Sequence, residues 1–88
     1  MSQEASSVEE CTEAMTVLAA ARDRLDVLID EVAARAVLAG ASVRSLAEVA
    51  GVAPNTMSPR LARSSVLAAY AEDGRVSAEG VARARYDA

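Results

Sequence analysis

Apolar residues recur at steps of three and four along the first half of the chain: Val8, Cys11, Met15, Leu18, Leu25, Ile29, Val32, Ala36 and Ala39. That spacing is the stripe of an amphipathic helix, and its length resembles the seam of a coiled coil. Ala14, Ala21 and Leu28 broaden the stripe on one side, and Arg22 takes the one slot in the register that should be apolar. No Gly or Pro interrupts before Gly40, so a single helix over 8–39 is expected, about 45 Å long at 1.5 Å per residue. A break near Asp30 or Glu31 is the alternative. Ser7-Val8-Glu9-Glu10 reads as a capping box, and Glu9, Glu10 and Glu13 suit the positive end of a helix dipole. Residues 1–7 are polar and small and are expected to form a disordered tail that ends in the cap.

A seam this long exceeds what a small monomer needs. It points to a homodimer through the N-terminal helix, with Met15, Leu18, Leu25, Ile29 and Val32 as the dimerisation residues. The pattern leaves the direction of the pair open, and a helix folded back on its own domain is the rival reading. Arg22 is expected to pair with Asp26 one turn on, and Cys11, on the seam, to be a small buried hydrophobe.

Gly40-Ala41 ends this helix. Ser42 is a suitable N-cap for a short one, Val43 to Ala50, with Leu46, Val49 and Ala50 on one apolar side. Gly51 stands where the chain needs φ > 0, and Pro54 fits the first turn of a following helix whose inner face carries Met57 and Leu61. Pro59 allows two solutions. Either the helix runs from Pro54 with a kink at Pro59, or Ser58 caps a main helix that starts at Pro59 and continues through Arg63, Val66 and Leu67 to Tyr70. Ala71-Glu72-Asp73-Gly74 reads as a turn with Gly74 a left-handed stop. Ser77 then caps a last helix over 77–86 that turns Val81 inward and carries Arg83 and Arg85, solvated or facing phosphate.

The whole is expected to be all-α, a single helical domain over 8–88: a long amphipathic helix, a two-helix motif over 42–70 and a short C-terminal helix. Ala47, Gly51, Val52, Met57 and Leu61, within the wording LAEVAGVAPNT, make residues 42–61 resemble the helix-turn-helix DNA-binding families of small bacterial and phage repressors. About a quarter of the chain carries the resemblance, with a weaker extension back through Ala33–Gly40 as a preceding helix packed on Leu46 and Leu61. It implies a sequence-specific double-stranded DNA-binding protein, a dimeric transcriptional regulator of phage, plasmid or bacterial origin. Asn55, Thr56, Ser58 and Arg60 would then meet base edges, while Ser42, Arg44, Ser45, Arg63 and Ser64 meet phosphates. Arg60 has other assignments open to it, a phosphate contact or a partner of Glu48.

Composition trims this picture. The core is built from small side chains, because the hydrophobic half of the chain is rich in Ala and its only aromatics are Tyr70 and Tyr86. Net charge is −4, but residues 1–41 hold eight acids and three arginines whereas 42–88 hold six arginines and five acids. The local field matters most at a docking face, since screening mutes acids beyond roughly 8–10 Å. With no His, one Cys and neither GxGxxG nor a P-loop, the chain signals no catalytic residues, metal site or cofactor. No apolar run approaches a membrane span, and Met-Ser-Gln-Glu lacks the positive start of a secretion signal, so a cytoplasmic location is expected. The alternative function is a helical protein–protein adaptor or assembly component in which the two-helix motif is only structural.

Overall fold

The computed structural model describes residues 7–88, so residues 1–6 of the expected tail lie outside the described residues. It is all-α, with no strand among the described residues: α1 Val8–Leu38, α2 Val43–Ala50, α3 Pro54–Ala62 and α4 Ala78–Asp87, plus a 3₁₀ turn at Ala68–Tyr70. The molecule is an elongated body of 60 × 22 × 20 Å.

α1 is one unbroken helix of 31 residues, which removes the break considered near Asp30. Its capping box is formed: the Ser7 hydroxyl accepts from the Glu10 amide at 3.0 Å and the Ser7 amide donates to Oε1 of Glu10 at 2.9 Å. Ser7 is therefore part of the helix start rather than of a tail. The other end closes with paired bonds, Gly40 N–H to the Val37 carbonyl and Ala41 N–H to the Ala36 carbonyl, with Gly40 at φ 115°. α2 ends the same way. Gly51, at φ 77°, donates to Glu48, and Val52 donates to Ala47.

Pro59 sits inside α3, so the helix does run from Pro54. The proline has no N–H to offer the Asn55 carbonyl, and Asn55 is exposed, so the lost helix bond falls at a residue on the outer face. The longer helix to Tyr70 does not form. α3 stops at Ala62, where the buried Ser64 hydroxyl donates to the Leu61 carbonyl at 2.7 Å and accepts from the Leu67 amide at 3.1 Å. This side chain replaces the backbone ladder and turns the chain. Likewise Gly74 is not a simple helix stop. Asp73 and Gly74 both have positive φ, 55° and 76°, and Glu72 and Arg75 exchange hydrogen bonds in a tight hairpin turn.

The core lies entirely at one end. Ala33, Ala34 and Val37 of α1 pack with Ala47, Met57, Leu61, Leu67, Val81 and Ala84. α4 returns to the end of α1, where the Arg85 guanidinium donates to the Val37 and Ala41 carbonyls at 2.8 and 3.0 Å. A cation there satisfies orphan carbonyls and opposes the negative end of the α1 dipole. Its role is structural, so it is not free to meet phosphate.

Before Leu25, α1 has no hydrogen bond or salt bridge to another element among the described residues. Met15, Leu18, Leu25, Ile29 and Val32 are 41–69 % exposed, and Cys11 is exposed with them, contrary to its expected burial. Arg22 approaches Asp23, at 3.6 Å, instead of Asp26. Val49, placed inward by its spacing, is 87 % exposed, because α2 turns only Ala47 fully into the core, with Leu46 and Ala50 half-buried.

Candidate nucleic-acid interface

The first turn of α3 is an exposed part of the candidate surface. Gly51 reverses the chain in a left-handed conformation, Ala53 takes the N-cap position without a side-chain bond, and Pro54, Asn55 and Thr56 follow, all exposed. The Thr56 and Met57 amides both donate to the Ala53 carbonyl, at 2.9 and 3.1 Å, which fixes the turn. Met57, fully buried, anchors it from beneath. The side chains of Asn55 and Thr56 make no hydrogen bond within the described residues, and their donors and acceptors remain available. Ser58 is half-buried on the shoulder of the same helix.

Arg60 departs from the expected set. It turns inward to α1, where its Nε donates to Oδ1 of Asp30 at 2.7 Å and a terminal nitrogen lies 3.6 Å from Asp26. Both Arg60 and Asp30 side chains are more than four-fifths buried. Reaching a base edge would break this pair and leave the Asp30 carboxylate without its cation, so Arg60 belongs to the scaffold. Its partner is Asp30 and not Glu48. Nothing local announces this pair, whose members stand thirty residues apart.

Of the expected phosphate contacts, Ser64 is buried and committed to the turn. Ser42 and Ser45 are exposed but bonded to each other: the Ser42 hydroxyl caps the Ser45 amide at 3.1 Å, and the Ser45 hydroxyl donates to the Ser42 carbonyl at 3.0 Å. Arg44 in the first turn of α2 and Arg63 at the end of α3 are exposed and free of salt bridges among the described residues. Two arginines against Glu48 make the outer face weakly positive.

A second feature escaped the sequence. An open apolar groove of about 470 Å³ lies between α1 and α2, lined by Leu25, Leu28, Ile29, Val32, Leu46 and Val49. Only the angle between the two helices creates it. Among the described residues no group of three or more His, Cys, Asp or Glu is placed to hold a metal, and no helix is long and apolar enough to cross a membrane.

No protein-family model, curated protein or solved structure matches this chain.

Proposed function

We propose that the chain binds double-stranded DNA and acts as a small dimeric transcriptional regulator. The carrying observation is the first turn of α3, where Asn55 and Thr56 stand in solvent on a turn held by Gly51 and anchored by Met57. In the helix-turn-helix reading, this end of α3 enters the major groove. Asn55 pairs with adenine, and the Thr56 methyl suits thymine. Ser58 lies at the edge of the contact, and Arg44 and Arg63 supply the phosphate contacts. Two such contacts per subunit make a weak monomer, so the reading needs two linked subunits.

Titration of labelled duplex by anisotropy tests it. Binding is expected at about 50 mM salt, falling steeply by about 200 mM. Arg44→Ala weakens every sequence alike and lowers the salt slope by about one, whereas Asn55→Ala relaxes preference at one base pair. Absence of binding, or binding indifferent to salt, refutes the assignment. One observation favours the adaptor reading: Asp26 and Asp30 draw Arg60 away from the surface and thin the positive face. If duplex binding fails, that reading takes over.

A further inference from the structure

The long bare face of α1 and the groove beside it are two ends of one surface. The groove occupies the end nearest the core, from Leu25 to Val32, and Val49 of α2 forms its far wall. The other end carries Val8, Cys11, Met15 and Leu18, all facing solvent. We propose that a second copy of this chain lies antiparallel along α1, so that the N-terminal end of each α1 fills the groove of the other. This rests on the reading of α1 as the dimer helix and adds its direction, its register and the contribution of α2.

Three observations choose the occupant and the direction. The first is area. The solvent-facing apolar side chains from Val8 to Val32, with Val49, amount to on the order of 800 Å² per copy, what a standard interface takes from each partner. The second is the pattern. With the two-fold beside Ala21, Leu18 meets the partner's Arg22 and the partner's Leu25, Met15 meets the partner's Leu25, and Cys11 meets the partner's Ile29 and the partner's Val32. Apolar side chains then face apolar ones along the seam except at Arg22, and the small side chains of Ala14 and Ala21 let the helices approach closely.

The third is charge. A parallel pair would set Arg22 on the partner's Arg22 and bring Glu9, Glu10 and Glu13 beside their copies. In the antiparallel pair each acidic end meets the far end of the other α1. There Arg60 offsets Asp30 and Arg35 offsets Glu31, so the incoming acids meet a stretch without net negative charge rather than their own copies.

The arrangement has a geometric consequence. At 1.5 Å per residue, the two Val32 positions lie roughly 33 Å apart along the pair. That separation, set along α1, is of the same order as the ~34 Å between half-sites one duplex turn apart.

Cys11 is the chain's only cysteine and is exposed, which makes it the probe. In the antiparallel pair the two Cys11 side chains stand roughly 30 Å apart, beyond any disulfide, whose Cα atoms must lie within about 7 Å. Mild oxidation of the unmodified protein is therefore expected to leave it uncrosslinked on a non-reducing gel. Ile29→Cys or Val32→Cys, with Cys11 retained, is expected to give a covalent dimer. Val49→Asp, at an exposed position, is expected to raise the dimer dissociation constant roughly ten-fold or more with the helical content of the monomer unchanged, because the partner's helix end loses its wall.

Ready crosslinking of unmodified Cys11 would establish a parallel pair and overturn the proposal, as would a dimer in which neither cysteine variant links or Val49→Asp changes nothing. A monomer by light scattering at about millimolar concentration, where even a weak dimer forms, overturns it too. These measurements contain no DNA. A crosslinked antiparallel dimer that ignores duplex therefore defeats the proposed function alone, and a duplex-binding parallel dimer defeats this inference alone.

Discussion

α1 is one helix in two environments. From Asp30 onward it is built into a core, with Ala33, Ala34 and Val37 buried and Asp30, Glu31, Val37 and Ala41 tied to residues thirty or more positions away. From Val8 to Leu18 the same three-and-four pattern of apolar residues faces solvent, and from Leu25 to Ile29 it forms one wall of the open groove beside α2. Periodicity states that a face is to be covered; it does not state by what. The free two-thirds holds its shape by local devices, the capping box and an uninterrupted ladder, whereas the last third is held by packing.

The sharpest way to break this contrast is to shorten a leucine in each region. Leu61→Ala removes a fully buried side chain from the centre of the core and is expected to cost about 3–5 kcal/mol, much of the stability of so small a domain. Leu18→Ala, exposed on the free stretch, is expected to change the stability of the monomer by less than about 0.5 kcal/mol, since Ala is the better helix former. Urea melts at concentrations below dimerisation measure both. Equal losses would mean that the free stretch is packed against its own chain.

Next in size is the joint between the regions. Arg60→Ala leaves the Asp30 carboxylate buried without a cation and is expected to cost about 2–3 kcal/mol, at the low end for a buried pair because both side chains keep some solvent contact. Changing Asp30→Asn in the same chain is expected to recover part of that loss in a thermal melt. If the single change is silent, the Arg60–Asp30 bond is not what fastens α3 to α1.

Gly80→Ala sharpens the packed side of the comparison, because two effects oppose each other there. Helix propensity favours Ala over Gly by about 1 kcal/mol. An added Cβ, however, would stand 2.8 Å from the Tyr70 carbonyl oxygen, a backbone atom fixed by the 3₁₀ turn. The clash is expected to win, for a net loss of about 1–2 kcal/mol. A stabilised variant would show that α4 can move away from Tyr70.

How far the residues spoke for themselves follows the same division. Features decided within one turn were legible: the caps Ser7, Ser42 and Ser77, the reversal at Gly51, the first turn at Pro54 and the inward Met57 and Leu61. Features decided by the angle between helices were not. Arg60 looks like a groove-facing residue until α1 is laid beside α3, and Val49 looks inward until α2 is docked. Ser64 reads as a polar surface residue although its hydroxyl supplies the bonds that end α3. Pro59 left two readings open. It is compatible with both a helix start and an interior position, and α3 takes the earlier start with Met57 and Leu61 buried.

The gentlest probe of the joint is acid. Glu31 accepts from the Ser65 hydroxyl at 2.6 Å and from the Ser65 amide at 2.7 Å, and these two bonds hold its carboxyl below the ordinary value of 4.5. Protonation would replace an acceptor with a donor facing two donors. A carboxyl whose folded pKa is depressed contributes stability above its unfolded value, and that contribution fades as pH falls through the lower folded one. Because Glu31 meets water, the effect is small. The expected signature is convergence: Glu31→Gln is less stable than the parent at about pH 6, and the gap in urea midpoint narrows toward about pH 3 as the parent's own carboxyl takes up its proton. A gap constant across that range would mean the two Ser65 bonds survive protonation, and the C-terminal unit would then be clasped to α1 by Arg60 and the core alone.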